Sequence, residues 1–108
     1  MNLFFDTETT SLPYGQPLDD PSYPWPVEIA GILVTSTGST VSSVRVVIKP
    51  DGRTIPDEVV KIHNIDTDYA VIYGMNLALA LPVIEAFAQQ AASALAWNVI
   101  NEKHQLPG

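Results

Sequence analysis

A chain of 108 residues is long enough for one small domain, and with 46% hydrophobic residues it can bury a core. Its 12 acidic and 5 basic residues give a net charge of -7, which argues against a basic surface that grips nucleic acid by charge alone. The absence of cysteine excludes disulfides and thiolate metal sites. The start lacks the features of a signal peptide, and no apolar run approaches the about 20 residues of a membrane span, so a cytoplasmic protein without membrane contact is expected.

The first predicted strand, residues 1–8, ends in two carboxylates. Asp6 and Glu8 follow an apolar run, and residues two apart on a strand point to the same face. Two carboxylates side by side repel each other unless a cation lies between them, and divalent metals prefer oxygen ligands. The pattern therefore predicts a metal site. From this stretch alone, a solvated acidic strand end that leads into a polar turn explains the residues equally well.

The next part of the chain predicts a loop and a hairpin. Residues 11–26 contain five prolines and predict a long surface loop, which Trp25 anchors on the body of the protein. Residues 27–35 and 41–49 are rich in β-branched residues and predict two strands, which the short turn between them makes antiparallel neighbours. The first half is thus a three-stranded antiparallel meander with the acidic pair on its first strand.

The second half of the chain begins with two short helical patterns. A helix over residues 56–63 starts with proline and acids, and Asn64 can close it in the left-handed conformation. Asp66 is the predicted cap of a second helix over residues 67–73. In chain order, both helices come between the meander and a longer third helix.

That third helix is predicted over residues 79–94, with Pro82 in its first turn. The short apolar stretch that follows, residues 95–100, predicts a strand parallel to the first one, with Trp97 in the core. A final helix is expected to begin at Glu102, which would bring this acid toward Asp6.

Four separated segments together resemble the DnaQ-like 3′–5′ exonucleases, the family of the proofreading subunit of bacterial replicative DNA polymerase. The segments read FDTETTSL, PWPVEIAGILV, IPDEVVKIHNIDTD and LAWNVINEKHQL, in the order of the family and over nearly the whole chain. The resemblance implies an α/β fold of ribonuclease-H-like type, in which a three-stranded antiparallel meander and a fourth, parallel strand are combined with helices.

The resemblance also implies a catalytic site. By position in the motifs, Asp6 and Glu8 would bind two divalent metal ions, Mg²⁺ or Mn²⁺, with Glu102 as the third acid. The 3′ nucleotide of single-stranded DNA or RNA would be bound by the following residues: Thr9, Thr10, Ser11, Leu12, Ile62, His63 and Asn98. From the residue alone, His63 is more often a helix-end residue near free carbonyls, and only the resemblance makes the two interpretations equal. Glu102 is equally a first-turn acid.

The chain also departs from the family pattern. Ser11, Asn64, Asp66, Trp97 and Glu102 stand where that pattern has glycine, glycine, threonine, histidine and aspartate. The third motif, a later helix with a general-base histidine and a fourth carboxylate, is missing from the sequence. We therefore expect a single incomplete exonuclease domain, truncated at its C-terminus, that has little or no activity alone.

The expected function is hydrolysis of terminal phosphodiesters in single-stranded nucleic acid, of the DNA proofreading or repair type, with a polymerase as a candidate partner. Two alternatives stay open. One is a truncated or degenerate domain of the same fold that is inactive and binds at most a metal or a partner. The other is a different ribonuclease-H-like nuclease or transposase that shares only the first acidic strand.

Overall fold

The computed structural model describes residues 1–11, 15 and 23–104, with side chains described up to residue 100. In these residues the elements are β1 (Asn2–Thr9), β2 (Pro26–Val34), β3 (Thr40–Val47), α1 (Asp57–His63), α2 (Thr67–Tyr73) and α3 (Leu77–His104). The predicted α/β class is confirmed, and so is the antiparallel meander, whose strands lie in the order β1-β2-β3. The predicted loop over residues 11–26 falls mostly outside the described residues.

The β2–β3 hairpin closes in a turn that glycine makes accessible. Gly38 has a φ of 90°, a conformation that costs little without a Cβ. Its N–H donates to the Thr35 carbonyl at 3.0 Å, and the Thr35 N–H donates to the Ser39 carbonyl at 2.8 Å. The predicted short turn between the two strands is therefore confirmed, and it sets the register that aligns β2 with β3.

Helices α1 and α2 begin and end where their capping residues predict. Asn64 adopts the left-handed conformation with φ 60° after α1, and its N–H donates to the Val60 carbonyl at 2.7 Å. Asp66 caps α2, since its Oδ1 accepts from the Tyr69 N–H at 2.7 Å. Between these helices and the sheet lies a cluster of buried side chains: Trp25, Val27, Ile55, Val59, Ile65 and Ala70. Trp25 is thus buried in the body of the protein, while most of the loop that it was predicted to anchor lies outside the described residues.

Helix α3 packs across one face of the sheet. Val46, Ile48 and Ala80 are buried between them, and the Phe5 and Phe87 rings meet edge to face with centroids 6.0 Å apart. Gly31 lies beneath these rings, where an added Cβ would come within 2.7 Å of a carbon in each ring. The missing side chain at this position therefore permits the close approach of helix and sheet.

The prediction of a strand over residues 95–100 is wrong. These residues continue α3, so Glu102 lies within the last turns of this helix rather than at the start of a new one. The segment that forms α3 contains eight alanines, and alanine is the strongest helix former. A short apolar run is ambiguous between strand and helix, and here the helical residues before it decide the outcome.

Two further expectations about α3 also need correction. Pro82 lies beyond the first turn, because α3 begins at Leu77, two residues earlier than predicted. Trp97 was expected in the core but is 65% exposed, since the end of α3 that carries it is not covered by the sheet. The apolar character of residues near the end of α3 is therefore not explained by burial in this fold.

Helix α3 is also long and apolar enough, over Leu77–Ile100, to cross a membrane by length and composition, contrary to the expectation that no run approaches this. Glu85, Gln89 and Gln90 lie near its middle and are exposed. A mostly buried core helix of a soluble protein can share this length and composition, but only 11% of this window is buried in the fold. α3 contacts the sheet through a few residues, among them Ala80 and Phe87. Length and composition are weak evidence for a span.

Candidate functional site

Asp6 and Glu8 lie on the face of the sheet that α3 does not cover. β1 pairs with β2 without a break from Asn2 to Glu8, so side chains alternate regularly through both acids. Phe5, directly before Asp6 in this alternation, points to α3. The two carboxylates therefore share the opposite face, as their spacing predicts, and the register shifts only after Glu8.

A third carboxylate lies beside this pair. Glu28 is directly opposite Glu8 in the β1–β2 register, and its side chain is only 13% exposed. Directly opposed like charges destabilise a sheet, and here Arg45 of β3 offsets the repulsion, with its Nε 2.6 Å from Glu28 Oε2. The sequence alone does not indicate this neighbour, because only the strand register brings Glu28 next to Glu8.

The donor set at the end of β1 fits a hard divalent cation. Asp6 and Glu8 supply carboxylate oxygens and have no ion-pair partner in the part of the chain that the structure describes. Mg²⁺ commonly binds through one or two carboxylates together with substrate phosphates and keeps several waters, so two acids are compatible with such a site. Among the described residues, no group of three or more acids and histidines is arranged to hold a metal. The side chain of Glu102, the predicted third ligand, lies outside those described.

An open depression of about 340 Å³ adjoins Asp6 on the same face. Phe4, Ala30 and Ile32 give it an apolar floor, and Arg45 lies at its far side. Apolar surface with a few polar groups at its rim is typical of small-ligand sites.

The residues after β1 form an ordered turn against Trp25. The Thr10 N–H donates to the Trp25 carbonyl, and the Trp25 N–H donates to Thr10 Oγ1, both at 3.2 Å. Thr9 Oγ1 donates to the Ser11 carbonyl at 3.1 Å. Thr10 and Ser11 also line a hollow of about 270 Å³ together with Tyr23, Trp25, Thr54, Pro56 and Glu58. Leu12, which was assigned to the same pocket, lies outside the described residues.

The structure does not bring the other predicted nucleotide-binding residues to this hollow. The start of α1 lines it, whereas Ile62 and His63 lie at the opposite end of that helix. Ile62 is 77% exposed, and both ring nitrogens of His63 are buried without a hydrogen-bond partner among the described residues. Asn98 is half-buried in α3 rather than on a strand beside β1. The roles of these three residues stay predictions.

Comparison with known proteins adds no assignment. No model of a known protein family matches the chain, and no curated protein matches it either. The resemblance to the exonucleases therefore depends on the sequence segments alone, and the last of them forms helix rather than the expected strand.

Proposed function

We propose that the chain carries the metal site of a metal-dependent 3′–5′ exonuclease domain of ribonuclease-H-like type, acting on the 3′ end of single-stranded DNA or RNA. The observation that supports this proposal is the shared position of Asp6 and Glu8 at the end of β1, on the face of the sheet opposite α3. In the described part of the sheet, β2 is the only partner of β1. The other edge of β1 is therefore open to a fourth strand, as a ribonuclease-H-like sheet requires.

The residues around the pair have distinct roles in this proposal. Divalent metal ions bound at the acidic pair would activate a water molecule and stabilise the leaving 3′ oxygen. Asp6 and Glu8 anchor the cations. Thr10, held by its two hydrogen bonds to Trp25, keeps the turn at the end of β1 in place for a terminal nucleotide. A substrate phosphate approaches an acidic protein, so the cations also offset charge repulsion between protein and substrate.

A second candidate function is supported by what the described site contains. Glu28 already pairs with Arg45, and Ile62 and His63 lie away from the hollow at Thr10. A site with two available acids suits metal binding better than two-metal catalysis, which needs a clamp on both the attacking and the leaving oxygen. The second candidate is therefore an inactive module of the same fold that binds a metal or a partner.

Binding of a 3′ end separates the two candidates. The probe is a 5′-labelled single-stranded oligonucleotide with a hydrolysis-resistant terminal linkage, and fluorescence anisotropy is read in Mn²⁺ and in EDTA. We expect binding that needs both Mn²⁺ and a free 3′ hydroxyl, because the cations link the acids to the terminal phosphate. Asp6→Asn should abolish it, and Asp51→Asn, the same change in the turn after β3, should not.

The remaining outcomes each have one meaning. Oligonucleotide binding that is equal in EDTA, or equal after Asp6→Asn, would refute the exonuclease proposal. Mn²⁺ binding at the pair without any preference for a 3′ end would favour the inactive module.

A further inference from the structure

A second hollow, separate from the acidic pair, lies where the end of β3, α2 and the start of α3 meet. Its volume is about 320 Å³, near the lower end of the range for ligand sites. It is lined by Lys49, Pro50, Asp51, Gly52, Arg53, Val71, Asn76 and Leu77. We name it the β3–α3 hollow. Nothing in the proposed exonuclease chemistry uses these residues.

The charge of the β3–α3 hollow is opposite to that of the protein. Two of the five basic residues, Lys49 and Arg53, line it, although the net charge of the chain is -7. In the described ranges the one ion pair joins Arg45 to Glu28, so neither Lys49 nor Arg53 has a carboxylate within 4.0 Å. Asp51 is the single acid in the lining. The hollow therefore presents a net positive surface on an acidic protein.

Arg53 is held in position before any ligand binds. Its Nε donates to the Pro50 carbonyl at 2.8 Å, and its guanidinium lies 4.2 Å from the centre of the Trp25 ring. A guanidinium that is already ordered loses less conformational entropy when it binds a carboxylate. The backbone beneath it is fixed as well, because the Lys49 N–H donates to the Met75 carbonyl at 2.9 Å.

The opposite wall of the hollow is apolar. Val71 of α2 is 54% exposed and faces the same space as Leu77 of α3. The start of α3 does not itself provide the anion site, since Asn76 Oδ1 already accepts from the Ala78 N–H at 2.9 Å. Cations on one side and apolar side chains on the other suit a ligand that carries both carboxylates and an apolar group.

We propose that the β3–α3 hollow binds an acidic segment of a partner protein, in which an apolar residue lies between aspartates or glutamates. The apolar residue would pack on Val71 and Leu77, and the carboxylates would pair with Lys49 and Arg53. A simple anion would leave the apolar wall exposed, and an uncharged apolar peptide would leave both cations unpaired. Charge complementarity therefore selects an acidic, apolar peptide as the occupant.

Three labelled peptides test the proposal by fluorescence anisotropy in EDTA: alternating Asp and Leu, alternating Asp and Ser, and alternating Lys and Leu. We expect only the Asp–Leu peptide to bind, with an affinity that falls as ionic strength rises. Lys49→Glu should weaken binding by about fivefold or more, because it replaces an attraction with a repulsion at an exposed site. Lys49→Arg should preserve binding, and Val71→Ser should weaken it without changing the charge.

Each contrary result overturns a specific part of the proposal. Equal binding of the Asp–Ser peptide, or full competition by inorganic phosphate, would show a simple anion site. Equal binding of the Lys–Leu peptide would show non-selective apolar adhesion. Unchanged binding by Lys49→Glu would place the peptide elsewhere. The assay contains EDTA, and Asp6→Asn is expected to bind the peptide normally. Failure of the peptide proposal is therefore distinguishable from failure of the exonuclease proposal, on which it does not depend.

Discussion

Replacing Asp6 with asparagine is expected to weaken Mn²⁺ binding by at least about 10–100-fold, the range for loss of groups that only support a metal ligand. The variant removes one charge and one anionic oxygen donor but keeps the size of the side chain. Asp6 is exposed on β1, so the fold should tolerate the change. Isothermal titration calorimetry measures the dissociation constant of Mn²⁺ for the parent chain and for the Asp6→Asn variant.

The matched control for this variant is Asp51→Asn. Asp51 is exposed in the turn after β3 with a φ of 54°, a conformation that asparagine also adopts readily. The Mn²⁺ affinity of the Asp51→Asn variant should equal that of the parent chain. Equal loss of affinity in both variants would indicate a general effect of net charge, and no loss in Asp6→Asn would contradict the metal site.

Replacing Gly74 with alanine is expected to lower the free energy of unfolding by about 3 kcal/mol, through backbone clashes that side-chain rotation cannot relieve. A Cβ at this position would collide with the Ala70 carbonyl oxygen and lie 2.8 Å from the Lys49 nitrogen. Both atoms are in hydrogen bonds, Ala70 O with the Gly74 N–H and Lys49 N–H with the Met75 carbonyl. Any shift that relieves the clash therefore weakens the link between β3 and the start of α3.

Thermal unfolding followed by circular dichroism should show the melting temperature of Gly74→Ala falling by roughly 10–25 °C. Gly52→Ala is the informative comparison, because Gly52 has open space around it but a φ of 80°. Only conformational strain should act there, at a cost of about 1–2 kcal/mol. A smaller loss in Gly74→Ala than in Gly52→Ala would show that the contact of Gly74 with β3 is looser than described.

Local chemistry made the meander and the two short helices predictable from the sequence. The Asn64 and Asp66 caps each set a helix boundary through one hydrogen bond, so their effect does not depend on distant residues. The position of Asp6 and Glu8 on one face follows from strand periodicity in the same way. Features of this kind need only a few neighbouring residues to be interpreted.

The features that sequence reasoning missed depend on tertiary context. Residues 95–100 form helix because they continue a long alanine-rich segment, and their short apolar pattern alone does not distinguish the two states. Trp97 is exposed because it lies at the end of that helix. Glu28 becomes part of the acidic site only through the β1–β2 register, and its pairing with Arg45 requires the third strand as well.

Paramagnetic broadening by Mn²⁺ tests the central claim most directly, since it locates the ion on the chain. In a heteronuclear NMR spectrum of the labelled protein, substoichiometric Mn²⁺ should first broaden the amide signals of Asp6, Glu8 and their β2 partners Ala30 and Glu28. The same titration of Asp6→Asn should leave these signals sharp. Broadening centred instead on the acids of α1 and α2, or unchanged by Asp6→Asn, would contradict a metal site at the end of β1.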